Sequence, residues 1–169
     1  IVSHGRFLVP GHAVPIDEHV ASELRDVALL TEDERAHRRE HALEVHLPFL
    51  LARNPNVRIV PVCLGPQSVE ACTRIGTAIA DVVRQHGGDV LVVASTDMSH
   101  YVPAEVAREK DRHALDRVEA LDARGLCETV EREDISMCGY VPTTVAMVAA
   151  KALGASHGTL VRYANSGET

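Results

Sequence analysis

Two apolar runs on either side of a helix-like stretch constrain the fold of this chain more than any other feature. The runs are Val57–Leu64 and Val90–Ala94, and both are rich in β-branched residues. Near-continuous apolar runs of this kind are typical of strands buried on both faces of a parallel sheet. Between them, Ser68 is a suitable cap for a helix that the spacing of apolar residues predicts as far as His86. The order strand, helix, strand predicts a βαβ unit with a right-handed crossover.

The flanking segments predict the remaining elements of the same domain. Residues 1–16 are interrupted by glycine and proline, which suits a loop and an edge strand. Helices are predicted at Glu18–Leu30, Leu43–Ala52, Glu105–Leu121, Leu126–Arg132 and Thr143–Leu153, and a third strand at Thr159–Tyr163. We therefore expect residues 1–169 to form a single α/β domain with a mixed, largely parallel central sheet flanked by helices.

Composition excludes several classes of function. The net charge of −7 and the 3% aromatic content argue against binding to nucleic acid or to an anionic membrane. No apolar run approaches the ~20 residues that a bilayer span requires. The sequence shows no secretory leader, and its four cysteines lack CxxC spacing, so we expect a cytoplasmic protein with reduced thiols. Nothing indicates a nucleotide cofactor.

A polar cluster follows the second predicted strand directly. Residues 95–101 read Ser-Thr-Asp-Met-Ser-His-Tyr. Ligands of open α/β sheets bind beyond the carboxyl ends of the strands, so this cluster is expected to border a cleft. Asp97 and His100 are three residues apart, and a tight turn would direct both into that cleft. The alternative is that Asp97 and Ser95 cap the next helix while His100 lies on the surface; the position after a strand favours the site.

A second candidate run is Glu40–Pro48. On a helix His41 and Glu44 would share a face, with His46 further round. The pattern His-x-x-Glu-x-His resembles a run of metal ligands, although it differs from the His-Glu-x-x-His pattern of zinc proteases. An imidazole near a carboxylate can act as a general base or a metal ligand. The residues alone nevertheless favour a charged helix end.

The third candidate segment is Ile135–Pro142. Gly139 precedes an apolar helix and would allow backbone amides to approach a ligand at the helix N-terminus. Cys138 is either a thiol activated by that helix end or a small core residue, and the residue type favours the core.

Four motifs, in this order and spacing, resemble the Memo family, known in prokaryotes as AmmeMemoRadiSam system protein B. They span nearly the whole chain and lie at Glu40–Leu50, Ala94–Tyr101, Ile135–Pro142 and Arg162–Thr169. The resemblance implies a fold like that of class III extradiol dioxygenases, which are non-haem iron enzymes, and a link to iron or copper. It also implies that His46 stands at the position of the dioxygenase acid/base, with His41, Glu44, Cys138 and Gly139 around the cleft.

The same resemblance implies that the principal metal ligands lie elsewhere. They are histidines of a Pro-His-Ala-Gly-Tyr-like and a Gly-Pro-Asn-His-like motif, neither of which occurs in this sequence. We therefore expect the chain to be the C-terminal part of a longer Memo-like domain, without that domain's extreme C-terminus. The third metal position, a cysteine in the better-known animal members, falls on Ser99. Serine is a poor ligand for a soft metal, but Asp97 and His100 lie close enough to substitute.

Three classes of function remain open. The first is a metal-dependent redox enzyme acting on a small aromatic or carbonyl compound. The second is a non-catalytic partner of an AMMECR1-like protein and a radical SAM enzyme, which the family name suggests. A hydrolase with Ser95 or Ser99 as nucleophile and His100 as base is disfavoured, because the sequence lacks a Gly-x-Ser-x-Gly elbow.

Overall fold

Helices make up most of the regular structure. The computed structural model describes residues 1–26, 30–87 and 89–168. Within them lie two strands, β1 (Arg6–Val9) and β2 (His12–Pro15), and the helices α1 (Glu18–Asp26), α2 (Leu47–Arg53), α3 (Val69–Gln85), α4 (Ala104–Glu119), α5 (Ala123–Arg132) and α6 (Tyr140–Ala152). Short 3-10 turns occur at Glu34–His37 and Glu44–His46. The chain divides into two compact units, Ile1–Gly65 and Pro66–Thr169.

The first unit contains an antiparallel hairpin. Strands β1 and β2 pair with Phe7 opposite Val14, and Gly11 turns the chain at φ +77°. Beyond the hairpin, Ile16 forms an isolated parallel bridge with Ile59, in which the Ile59 amide donates to the carbonyl of Pro15 at 3.1 Å. The buried apolar residues of this unit are Ile1, Val2, Val14, Ile16, Val20, Ala21, Leu24, Leu30 and Leu47.

Side-chain caps set the starts of two helices, one of them the predicted cap at Ser68. The Asp17 carboxylate accepts the amide of Val20 at 3.2 Å ahead of α1, and the Ser68 hydroxyl accepts the amide of Ala71 at 3.2 Å ahead of α3. Each bond satisfies a donor that the first helical turn leaves without a partner. The first helix is predicted to end at Leu30; α1 is described as far as Asp26, residues 27–29 lie outside the described residues, and Leu30 is not helical.

The second unit is built on packed helices. Helices α3 and α6 make the closest contact, and α5 packs on both α6 and α4. At the first contact, a Cβ on Gly76 would lie 2.7 Å from the Val145 carbonyl oxygen and 2.7 Å from the Val148 Cβ. The core cluster of this unit comprises Ala114, Leu121, Leu126, Val130, Ile135, Met137 and Met147. No helix among the described residues is long and apolar enough to span a bilayer.

The predicted largely parallel sheet is not confirmed. In the part of the chain that the structure describes, the two strands are antiparallel, and Val57–Leu64 contributes one isolated bridge. Val90–Ala94 and Thr159–Tyr163 form no strand there, and Leu91 is 78% and Val161 94% exposed. A β-branched run sets a preference for extended backbone, but a strand also needs a neighbouring backbone to pair with. The chain is a mixed α/β protein with helices and a small sheet.

The close contact at Gly76 makes a stability prediction. Glycine to alanine within a helix ordinarily stabilises a protein by about 0.5–1 kcal/mol. Here the added methyl meets α6 backbone, so we expect Gly76→Ala to destabilise the protein by about 1–3 kcal/mol in urea unfolding. Thr77→Ala, at the exposed neighbouring position of α3, is the control and should change stability by less than about 0.5 kcal/mol. A Gly76→Ala protein as stable as the wild type would contradict the packing described.

Candidate functional site

Met98 anchors the polar segment that follows Val90–Ala94. Its side chain packs against the core cluster of the second unit. On either side of it, the Asp97 side chain is 85% exposed and the His100 side chain 31% exposed. Helix α4 begins after Pro103, so neither Ser95 nor Asp97 caps it. The alternative explanation for this cluster, that it caps a helix, is therefore wrong.

A second segment, Ile135–Gly139, alternates between buried and exposed residues. Ile135 and Met137 are buried in the same core cluster, whereas Ser136 and Cys138 are exposed. Alternation of this kind places successive side chains on opposite sides of an extended backbone. The expectation that Cys138 is a core residue is therefore wrong.

Ser136 holds His100 through both backbone and ring. The His100 amide donates to the Ser136 hydroxyl at 2.7 Å, and His100 Nδ1 lies 2.7 Å from the Ser136 carbonyl oxygen. Because a carbonyl only accepts, Nδ1 carries the proton, and a neutral ring keeps its lone pair on Nε2. That nitrogen lies 3.8 Å from the Asp97 carboxylate. One ring nitrogen of His100 is thus hydrogen-bonded to the Ser136 carbonyl, and the other faces the Asp97 carboxylate.

Cys138 contacts the same polar segment. The Asp97 amide donates to Cys138 Sγ at 3.2 Å, and the Thr96 hydroxyl lies 4.0 Å from the same sulfur. Asp97, His100 and Cys138 therefore lie in adjacent segments, although their donor atoms are not all within 4.8 Å of one another.

Gly139 allows the two segments to approach. A Cβ at this position would lie 2.4 Å from the Ser95 carbonyl oxygen and 2.5 Å from the Thr96 Cβ. Its amide donates to the Thr96 hydroxyl at 2.9 Å. Backbone amides at this helix start were expected to face a ligand, but the Gly139 amide is bonded within the protein. The absence of a side chain at Gly139 instead lets the two backbones pack closely.

Ser99 faces away from the exposed groups. Its hydroxyl is buried and has no partner among the described residues, and its amide donates to Asp111 at 3.0 Å. Asp111, on α4, is only 2% exposed and also accepts the hydroxyl of Tyr163 at 2.7 Å. Burial and the hydrogen bond to Asp111 raise the pKa of Tyr163 to about 12.

The other predicted site residues belong to the first unit. His41 and Glu44 are exposed, and His46 ends the 3-10 turn before α2. The Nε2 of His46 is buried and finds no partner in the described parts of the chain. A buried ring nitrogen without a partner is unusual in folded proteins.

His37 and Cys63, which have no predicted role in a site, lie against each other. In the first unit Cys63 Sγ lies 3.4 Å from His37 Nδ1. Burial lowers the pKa of the His37 imidazole and raises the pKa of the Cys63 thiol, so both groups favour their neutral forms. The pair is a neutral hydrogen bond, which differs from the thiolate of a reactive cysteine.

Comparison with known proteins decides the family. The sequence model described as Memo-like protein matches residues 1–169. The chain belongs to the Memo family. Among curated Memo relatives, MEMO1 family proteins of Methanopyrus kandleri, Methanosarcina barkeri and Methanothermobacter thermautotrophicus are 41%, 39% and 37% identical, each over 99% of this chain. The chain spans 60%, 63% and 61% of their lengths, respectively. The resemblance found in the four motifs is confirmed.

Ser136, Asp111 and Tyr163 support the Memo motif residues but were not singled out from the sequence. Only Asp111 leaves a readable signal. It shares the inner face of α4 with Ala107 and Ala114, both buried, so an aspartate stands where the helical period predicts an apolar residue. Ser136 and Tyr163 lie within two of the four motifs, but nothing in the sequence indicates their contacts, since their partners lie 36 and 52 residues away.

Alkaline titration tests the Tyr163–Asp111 bond. Tyrosine ordinarily ionises at pH 10.0, and the raised pKa of about 12 means that the folded state favours the neutral hydroxyl. This contribution to stability is complete below pH 10 and should disappear as the pH rises towards about 12. Ultraviolet absorbance of tyrosinate should show a component near pH 12 that is missing in Tyr163→Phe. A Tyr163→Phe curve that keeps this component would refute the assignment.

Proposed function

We propose that this Memo family chain carries part of a dioxygenase-like polar cleft in which non-haem iron or copper supports a redox reaction on a small substrate. The observation that carries the proposal is the state of His100. Its Nδ1 is engaged by a backbone carbonyl at 2.7 Å, and its Nε2 faces a carboxylate. Metal-binding histidines in proteins typically donate their second nitrogen in this way, which fixes the tautomer and the ring orientation.

The donor types around His100 suit these metals. Imidazole and carboxylate, from His100 and Asp97, are common ligands of non-haem iron, and a thiolate from Cys138 would favour copper in its reduced state. Cys138 is exposed beside Asp97, whereas the Ser99 hydroxyl is buried, so we assign the soft donor to Cys138. The remaining ligands are proposed to come from the part of the family domain that this chain does not span.

Each protein group has a proposed task. In the first unit, His46 is the proposed acid/base, a role that rests on the family resemblance; its Nε2 is buried without a partner in the described residues. His41 and Glu44 are exposed polar groups that would orient the substrate, and Gly139 keeps the two segments of the site together. A bound metal would supply Lewis-acid and one-electron chemistry. The four cysteines are free thiols, which supports a reducing, cytoplasmic setting.

Metal binding by the 169-residue chain tests this proposal. Purified protein would be incubated anaerobically with Fe(II) or with Cu(I), passed through a desalting column and analysed for metal by mass spectrometry. We expect retained metal to fall about tenfold or more in His100→Ala and in Cys138→Ser, because each loses a ligand. His157→Ala removes an exposed histidine outside the site and is the matched control. Equal metal retention in all four proteins would rule the site out, whereas retention by none would show that the ligands of this chain do not hold the metal by themselves.

A non-catalytic partner role is the second candidate, and a surface feature favours it. Leu91 and Val93 are exposed apolar side chains two residues apart, and clustered exposed apolar groups commonly mark protein contacts. Under this proposal an AMMECR1-like protein or a radical SAM enzyme would bind there.

The two candidates differ in which variants lose function. If the partner role is correct, His46→Ala/Asp97→Ala should bind such a partner as well as the wild type does, whereas Leu91→Asp should bind at least tenfold more weakly. Isothermal titration with each purified partner measures both. Loss of binding in the double variant, with Leu91→Asp unaffected, would favour a role based on the polar site.

A further inference from the structure

Asp111 is a buried acidic group that the proposed chemistry does not use. It lies on the inner face of α4, between the buried residues Ala107 and Ala114, and is almost completely inaccessible. A carboxylate at such a position is costly to desolvate unless its oxygens are hydrogen-bonded. An apolar residue would pack there without that desolvation cost. The groups to which Asp111 is hydrogen-bonded therefore explain why an acid occupies this position.

Both oxygens of Asp111 are engaged by distant parts of the chain. Oδ1 accepts the Ser99 amide at 3.0 Å, across 12 residues, and Oδ2 accepts the Tyr163 hydroxyl at 2.7 Å, across 52 residues. The Tyr163 hydroxyl is protonated at neutral pH and therefore donates to this carboxylate. Tyr163 therefore fixes the orientation of the carboxylate, and the carboxylate fixes the Ser99 amide.

The Ser99 amide is the backbone group through which Asp111 holds the polar segment. It lies between Met98, which packs on the core, and His100, which is held by Ser136. The next residue, Tyr101, has φ +57°, in the left-handed region where a side chain is strained. A strained residue persists only where the surrounding structure holds its neighbours firmly. Asp111 holds Ser99 and Ser136 holds His100, the two residues that directly precede Tyr101.

We propose that Asp111 and Tyr163 are positioning residues for His100. Tyr163 orients the Asp111 carboxylate, and the carboxylate holds the Ser99 amide, so that the His100 ring keeps its hydrogen bond to the Ser136 carbonyl. The importance of this arrangement for chemistry rests on the proposed function, but the arrangement itself is testable without any metal.

Four variants separate the geometry of the bond from its charge. Asp111→Ala removes both acceptors, and Tyr163→Phe removes the hydroxyl that orients the carboxylate. Asp111→Asn keeps one oxygen for the Ser99 amide and turns an NH₂ group towards Tyr163, whose oxygen can accept it. Asp111→Asn should therefore keep a hydrogen bond to the Ser99 amide and one to Tyr163, and His100 should stay in place. Asp116→Asn, at an exposed position of the same helix, is the matched control.

Nuclear magnetic resonance of the 169-residue chain provides the metal-free readout. In Asp111→Ala we expect the Ser99 amide to exchange with solvent about tenfold faster, as for a lost hydrogen bond to a charged group. The ¹⁵N shifts of the His100 ring should move towards a mixture of tautomers. Tyr163→Phe should move the same signals in the same direction by less, while Asp111→Asn and Asp116→Asn stay near the wild type. Gly76→Ala, destabilised at a distant contact, should leave the His100 shifts unchanged.

A second readout connects the arrangement to the proposed site. When the chain is titrated anaerobically with Cu(I), Asp111→Ala should bind about tenfold more weakly than the wild type, and Asp111→Asn should bind normally. Unchanged Ser99 exchange and His100 shifts in folded Asp111→Ala and Tyr163→Phe would overturn the positioning role. If Asp111→Ala does not fold, unchanged shifts in Tyr163→Phe alone overturn it. Shifts that move as expected in a wild type that binds no copper would uphold positioning and show that Asp97, His100 and Cys138 do not hold copper by themselves.

Discussion

The candidate site depends on two methionines that share one apolar core. Met98 and Met137 lie in separate segments, and both pack into the cluster formed around α4, α5 and α6. Since side chains on either side of an anchored residue point elsewhere, burying Met137 leaves Ser136 and Cys138 exposed. Burying apolar area stabilises the fold and, in the same step, brings polar groups from distant parts of the chain next to each other. The hydrogen bonds between His100 and Ser136 then refine an arrangement that the core has already set.

Local features of the fold were predictable from the sequence, and pairing between distant segments was not. The predicted helix from Ser68 to His86 corresponds to α3, because its cap and its apolar period are properties of neighbouring residues. The predicted strand at Val90–Ala94 depends on backbone hydrogen bonds from elsewhere, and no β-branched run encodes its own partner. The motif resemblance identified the family correctly because four spaced motifs carry far more information than one strand pattern.

The candidate site shows the same division. Asp97, His100 and Cys138 were singled out from the sequence as candidates, since each lies in a motif and belongs to a residue type that carries chemistry. Ser136 lies in a motif as well, but its role depends on a partner that only the fold supplies, and Asp111 lies outside all four motifs. Cys138 was assigned to the core for a related reason: residue type predicts average burial, whereas the alternation in its own segment decides the actual side.

The four cysteines differ enough in their surroundings to be distinguished chemically. Cys72 and Cys127 are buried, and burial of the half-exposed Cys63 raises its thiol pKa, which keeps it in the unreactive protonated form. Cys138 is the exposed thiol of the four. A maleimide or a fluorinated label would therefore attach first beside Asp97, within the polar segment. The natural sequence thus supplies a single-site handle through which ligand entry and local motion at this position can be followed spectroscopically.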